Sequence, residues 1–433
     1  MSINIFREYL DGRKFLGSIV YDNSGNGTFF YDGEYIEEAC LNGELGISER
    51  LPVKANSYSR NEFDSFFRGL LPEGDVLTNI SRSYQTPQSN YLELLEKMGC
   101  ETIGALTFIS SEIDESEYEP RYNSIDAQML EMIITNPTLA ATTAAVDTRL
   151  SLAGAQSKVA WYIPREKEAS LAVLDDWFVP LGTAASTHII KISRQGEYEI
   201  AENEYACSLL AKACGIETAE TVLLKEIPGA IAVKRYDRIW QKSDKQKKVR
   251  LIRLHQEDFC QALGLLPYMK YQPSEWRVDY PLLMSNLVLG TCREPAQDLK
   301  ELAKRILFCY AIGNTDAHLK NFSLLYDLDW RFRSLAPMYD ITCIPLTGYS
   351  TNMPFKIGEH RKLEEIDERD LALLAMDIDL SLSVFDEIIA ELLSKLESPG
   401  IDEREESSDS MVDAILENSK PRLDVLRKFI HQM

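Results

Sequence analysis

Nowhere in the sequence do 18 apolar residues run without interruption, so no membrane span is predicted. The opening stretch also lacks the apolar core of a signal peptide, because Arg7, Glu8 and Asp11 break it. The expected location is the cytoplasm. The eight cysteines form no C-x-x-C pair, which removes the usual signature of a zinc or dithiol site. Several sit in apolar runs, such as Cys207 in Y-A-C-S-L-L, and read as reduced core residues. Positive charge is scarce: 46 Lys and Arg stand against 68 Asp and Glu, a formal net charge of -22. A general nucleic-acid binder that works by neutralising phosphates is therefore disfavoured, although a local basic patch or a DNA-binding partner is not. No internal repeat is found. What is present is ordinary for a globular protein, with 45% hydrophobic and 26% charged residues in a 433-residue chain. That length suits about two to four domains.

The first sixty residues read as β-rich. I-F-R-E-Y-L and F-L-G-S-I-V-Y are short β-type runs about the turn D-G-R-K, a predicted hairpin. From Glu62 to Met98 the spacing turns helical, with Pro72 and Gly74 as stops and Gly99 just past a second helix. Residues 111–150 are polar, then rich in Ala and Thr, and read as a connecting segment with a helix near Ala127 to Ile133. From Ser151 strands and a helix alternate. Arg238 to Arg250 reads as a polar, basic loop. Beyond about Leu251 the chain reads as mostly helical, with a hairpin at 322–340 and a solvated loop at D-E-R-E-E-S-S-D-S from Asp402.

The strongest chemical signal is G-N-T-D-A-H-L-K-N-F-S, Gly313 to Ser323. Transfer of a phosphoryl group to a hydroxyl needs a carboxylate near the attacking oxygen and a ligand for a metal on the nucleotide phosphates. Asp316 and Asn321, in D-x-x-x-x-N, supply both from one loop, and Lys320 can offset charge on the moving phosphoryl group. Two strand-like runs then lead to Asp340 in P-M-Y-D-I, where a carboxylate can hold Mg²⁺ against the phosphates. Taken singly, Asp316 and Asn321 read as helix caps and Asp340 as a turn residue; the ordered set favours chemistry. Upstream, R-L-S-L-A-G-A-Q-S-K offers a tight turn at Gly154 whose N–H groups can face phosphates, though it matches no glycine-rich fingerprint. T-H-I-I-K-I-S places Lys191 in a mostly buried strand, where an ammonium group needs an anion. Glu204, on the following helix, is a candidate to hold it; edge-strand snorkelling is the plain alternative. In I-A-V-K-R-Y-D-R, Arg235, Asp237 and Arg238 suit either a nucleotide-binding hinge or a structural ion-pair cluster. Gln256, Glu257 and Asp258 suit a helix N-terminus.

S-L-A-G-A-Q-S-K, T-H-I-I-K-I, E-N-E-Y, A-V-K-R-Y-D-R, Q-E-D-F-C-Q-A-L-G, T-D-A-H-L-K-N-F-S and P-M-Y-D-I together resemble the HipA family of bacterial toxin kinases, in its order and approximate spacing. F-F-R-G-L-L-P-E-G-D and G-C-E-T-I-G-A-L resemble its N-terminal domain, so the likeness covers about residues 5 to 345. The resemblance implies an α+β, bilobal, protein-kinase-like fold: a mixed β/α N-lobe that includes a β-rich N-terminal domain, and a helical C-lobe. The boundaries expected are 1–110 for the N-terminal domain and 111–150 for the connecting segment. The N-lobe core would be 151–237, with phosphate loop and hinge, and the C-lobe 238–433. It implies ATP and Mg²⁺, with Asp316 as catalytic base, Asn321 and Asp340 as metal ligands and Lys191 on the phosphates. Ala153, Gly154, Ala155, Gln156, Ser157 and Lys158 would form the phosphate loop. Lys234, Arg235 and Tyr236 would form the hinge. His318, Leu319, Lys320, Asn321 and Tyr339 would add nucleotide contacts. Ser151 matches the family's autophosphorylated serine, and a phosphate there would expel the loop. The implied partners are a HipB-like dimeric helix-turn-helix antitoxin, operator DNA mainly through that antitoxin, and a protein substrate of the aminoacyl-tRNA synthetase type, whose modification blocks translation. Ser157 departs from the acidic residue common in that loop. Two other readings are a small-molecule kinase similar to aminoglycoside phosphotransferases and a non-catalytic antitoxin-binding co-repressor.

Overall fold

The structure is a computed structural model. It describes residues 1–431 except 10–11, 113–117, 150, 154–156, 171–173, 195, 198, 243–248, 277 and 402–405. The backbone is mixed α and β and divides into two units. The first comprises Met1–Tyr198, Val222–Glu257 and Leu325–Arg331; the second comprises Glu199–Thr221, Asp258–Leu324 and Phe332–Met433.

The predicted hairpin forms in the first unit: Ser2–Tyr9 (β1) pairs antiparallel with Gly12–Tyr21 (β2), from Ser2↔Val20 to Tyr9↔Gly12. Gly27–Tyr31 (β3), Tyr58–Ser59 (β4) and Leu106–Ser110 (β5) extend it into a sheet ordered β4-β3-β2-β1-β5. Alternate residues of β1 enter the core, Ile3 and Ile5 among them, as period-two patterning requires. They pack with Phe29, Phe63, Phe67 and Phe108, and Phe67 meets Phe29 and Phe108 edge-on at 5.5 and 5.9 Å. The expected helical stretch is three helices, Arg60–Gly69, Gly74–Ser83 and Tyr91–Met98. Gly33–Asn42 is also a helix, inside the stretch read as β-rich. Its signals are local: Asp32 accepts from the N–H groups of Glu34 and Tyr35, and Gly43, at φ 67°, ends it.

The segment read as connecting is more ordered than expected. Ala127–Thr135 is the foreseen helix, and a second, Pro137–Thr148, follows. Asn136 caps it at Leu139 N–H and Pro137 starts it. Its alanines are buried, so small side chains mark close packing here, not a linker. Lys158–Trp161, His188–Ile192 and Ala230–Lys234 form adjacent antiparallel strands. The expected polar loop after Arg238 is mostly a hairpin, Arg238–Lys242 paired with Val249–Arg253, about residues outside the description. R-I-W-Q-K and V-R-L-I-R each carry two adjacent apolar residues and do not alternate, so no period of two marks these strands beside the lysine-rich centre.

The second unit is mostly helical. Pro295–Ile312 runs through its centre, with every residue from Leu302 to Ile312 buried, and packs among Tyr280–Thr291, Leu382–Glu397 and Glu406–His431. Asp258 and Gln261 form a reciprocal cap on Phe259–Leu263, as the acidic start suggested. The loop expected from Asp402 is helical from Glu406 onward; 402–405 lie outside the described residues. Among the described residues no helix is long and apolar enough to cross a membrane. The cysteines are free thiols, seven of them buried and Cys40 exposed.

Candidate active site

The central helix delivers the D-x-x-x-x-N loop. It ends at Gly313, whose left-handed backbone (φ 77°) returns N–H bonds to Cys309 O and Tyr310 O. The chain then folds tightly on itself. Asp316 O accepts both His318 N–H at 2.7 Å and the Asn321 Nδ2 at 2.9 Å. Asn321 N–H donates to His318 O at 2.8 Å, closing a short 3-10 turn over Leu319–Asn321. With Nδ2 committed, Oδ1 is the Asn321 atom available to a cation. The Asp316 carboxylate is half-buried and accepts from the Tyr271 hydroxyl at 2.5 Å. His318, Lys320 and Asn321 are buried.

The segment carrying Asp340 is pinned at four places within the same unit. The Arg305 guanidinium donates to Ala336 O at 2.6 Å. Met338 bridges to the 217–219 stretch through N–H to Glu217 O and O from Ala219 N–H, at 2.8 and 2.9 Å. The Tyr339 hydroxyl donates to Lys320 O at 2.7 Å; its one proton being spent, it accepts from Ser323 at 2.6 Å. The Asn203 side chain donates to Cys343 O at 3.0 Å and accepts from Cys343 N–H at 2.7 Å. Between these anchors Asp340 adopts φ 55°, a left-handed conformation uncommon outside glycine. Tyr339 thus ties the catalytic loop to the residue before Asp340. The nucleotide contact expected of it falls to its ring or backbone.

The first unit holds the other predicted residues. Lys158 and Lys191 lie directly opposite each other on paired strands, so both side chains leave the same face of the sheet. The same face carries Ala160, Ile189 and Val233, and Leu152 packs beside Ala160 and Ile189. An apolar floor beside two ammonium groups suits a flat base and its phosphates. Ser157 touches Thr138 at 3.1 Å, while Gly154, Ala155 and Gln156 of the expected phosphate loop lie outside the described residues and Ala153 precedes them.

The hinge stretch resolves towards the ion-pair alternative. Arg235 bonds Asp237, Glu101, Ser186 and Thr102 O, and its own N–H goes to Thr187 O. Arg238 and Arg253 also reach Glu101, and Gly104 N–H donates to Asp237. Burial works to raise the Glu101 carboxyl, yet Arg238, Arg253 and Arg235 hold it down at about 2. Lys234 leaves the opposite sheet face from Lys191 and lies 3.7 Å from Glu168, and the Tyr236 hydroxyl donates to Gln256. A nucleotide contact from 234–236 therefore belongs to the backbone of Lys234 or Tyr236. Ser151 is fully buried, donating to Leu70 O at 2.7 Å, with its N–H on Glu101 O. Its hydroxyl is reachable only if 151–153 lifts away. Glu204 is buried on the Glu199–Ala213 helix of the second unit.

The Asp340 carboxylate and the Asn321 amide oxygen fit magnesium that arrives on a phosphate, since that ion needs few protein ligands. Among the described residues no group of three His, Cys, Asp or Glu forms a metal cage. Sequence reasoning missed Asn203, Tyr271 and Arg305. Tyr271 and Arg305 each act through one hydrogen bond and Asn203 through two, all from distant stretches, with no local pattern to betray them.

Comparison with known proteins agrees with this architecture. Residues 150–399 match the model of the HipA-like C-terminal domain, and residues 9–109 match the HipA N-terminal domain. The chain is 30% identical to the "Putative kinase Y4mE" of Sinorhizobium fredii, covering 96% of this chain and 95% of that protein. It is 28% identical to the serine/threonine-protein kinase toxin HipA of Shewanella oneidensis, over 64% of this chain and 62% of the other. Among solved structures, the complex of HipA, HipB and operator DNA from Shewanella oneidensis MR-1 contains a chain matching at a TM-score of 0.78. That match has 21% identity and covers 98% of this chain and 99% of that one.

Proposed function

The chain belongs to the HipA family, and from that premise we propose that it transfers the γ-phosphate of ATP to a serine or threonine hydroxyl of a protein. The observation that carries this reading is the closed loop in which Asp316 O gathers both His318 N–H and the Asn321 amide. One short turn thus carries both a carboxylate and an amide oxygen. Asp316 takes the proton of the acceptor hydroxyl as the oxygen attacks; the new P–O bond forms as the bond to ADP breaks. Asn321 and Asp340 would hold Mg²⁺, and the chemistry that ion would supply is neutralisation of charge on the phosphates. Lys191, Lys158 and the 153–158 stretch contact phosphates, and Lys320 offsets charge on the transferred group. His318 and Leu319 add nucleotide contacts.

The biological reading follows relatives named as a toxin kinase and as a complex with HipB and operator DNA. We assign this chain the toxin role of a type II toxin–antitoxin pair in the cytoplasm. It would be held by a HipB-like helix-turn-helix dimer that carries it to operator DNA, and would act on a protein of the aminoacyl-tRNA synthetase type. Self-phosphorylation at Ser151 would switch it off, after release of the Leu70 bond. The test is phosphoproteomics after brief induction of the chain or of Asp316→Ala. New phosphoserine or phosphothreonine peptides with the parent alone support the reading. Equal growth arrest by both forms, without new phosphopeptides, would favour the non-catalytic co-repressor.

A further inference from the structure

Tyr271 is the one side chain outside the catalytic motif whose hydrogen bond to the Asp316 carboxylate the structure describes, and it is held there firmly. Its neighbours are fixed on both sides. Lys270 O accepts from Leu319 N–H of the catalytic loop at 3.2 Å, and the Tyr280 hydroxyl donates to Met269 O at 2.7 Å. Gln272, 3% exposed, donates its N–H to Pro354 O and accepts from Lys356 N–H, while its Nε2 reaches Asp279 at 2.8 Å. The Tyr271 ring stands edge-on to His318 at 5.1 Å, and its hydroxyl donates to Asp316 Oδ1 at 2.5 Å. A phenol has one proton, and this one is spent on Oδ1.

We infer that Tyr271 is a positioning residue for phosphoryl transfer, fixing the Asp316 carboxylate by Oδ1 so that Oδ2 is presented to the acceptor hydroxyl. The inference rests on the kinase reading above. A carboxylate held by one oxygen loses its freedom to turn about the Cβ–Cγ bond. The oxygen that receives the proton is then in place before the acceptor arrives, which is the gain expected of preorganisation. The bond counts of transfer are unaltered: the acceptor proton passes to Asp316, the acceptor O–P bond forms, and the bond to ADP breaks.

Tyr271→Phe keeps the ring and removes only the hydroxyl. With γ-labelled ATP and dephosphorylated casein as acceptor, it should lower kcat about tenfold, the scale of one hydrogen bond to a charged group. The KM for ATP should stay within about twofold, because the nucleotide is not touched. In an Asp316→Asn background the same substitution should cost almost nothing further, a non-additivity that a merely structural tyrosine would not produce. Wild-type kcat in Tyr271→Phe overturns the inference, as does a full tenfold loss in the Asp316→Asn background. A raised kcat also overturns it, since the hydroxyl would then obstruct the carboxylate. If the parent chain labels neither casein nor itself, the kinase reading falls, and this inference with it.

Discussion

Asp340 sits at φ 55° because its neighbours leave it no choice. Strain of this kind costs on the order of 1–3 kcal/mol and persists only where surrounding bonds over-determine it. Asn203 supplies two of those bonds, one to each polar atom of the Cys343 peptide. Asn203→Leu should therefore strip a buried N–H and a buried carbonyl of their partner. The expected loss is about 1–3 kcal/mol in urea unfolding, with kcat for phosphate transfer reduced as Asp340 drifts. Asp316→Ala is a different kind of change. The residue is half-buried in a turn that its backbone carbonyl closes, so folding should survive. Transfer should fall by about 10²–10⁴ as the proton acceptor is lost. Circular dichroism alongside the labelled-ATP assay separates the two effects.

Among elements, the central Pro295–Ile312 helix decides where the catalytic loop begins. A Cβ on Gly313 would lie 3.0 Å from Pro345 Cγ and 3.2 Å from Arg422, at φ +77°. Gly313→Ala should cost at least about 1 kcal/mol in stability, and disturb transfer besides, because Asp316 follows three residues on. A thermal melt and a labelled-ATP assay on one preparation check both. The loop and its strands were legible in the sequence because local chemistry specifies them. Asp316 and Asn321 close their own turn, and Gly313 stops its helix. The Pro137–Thr148 helix was not, because its buried alanines resemble linker composition until a partner surface is known. The hinge showed the same limit: A-V-K-R-Y-D-R is written in charges, and the remote partners Glu101, Ser186 and Thr102 O, which join Asp237 in holding Arg235 inward, leave no local mark. The Asp340 segment was located by order along the chain, while its anchors, Arg305 and Asn203, belong to stretches that no local pattern joins.

On the scale of the whole chain, acid should be the effective denaturant. Burial, with Lys234 nearby, pushes the His188 imidazole down to about 3 from an ordinary value of 6.5. The unfolded chain therefore binds a proton that the folded one refuses, and stability is lost as pH falls from 6.5 towards 3. Glu101, held at about 2 against an ordinary 4.5, adds a second loss as pH falls through 4.5 towards 2. Urea midpoints should decline from pH 6.5 downward and more steeply below 4.5. His188→Gln should flatten the decline between pH 6.5 and 4.5; an unchanged slope there would remove His188 from the account. A last consequence concerns Arg422 on the Glu406–His431 helix. Its Nε donates to Ala311 O at 2.9 Å, and its Nη2 donates to Asn418 at 2.8 Å. That clasp closes the carboxyl end of the helix from which the catalytic turn departs. A premature stop codon after codon 341 and no later than codon 422 leaves every motif residue intact and unhooks the turn. If the proposed toxin role holds, selection for escape from growth arrest should thus yield nonsense and frameshift alleles far downstream of Asp340, and a fragment ending at residue 399 should be inert.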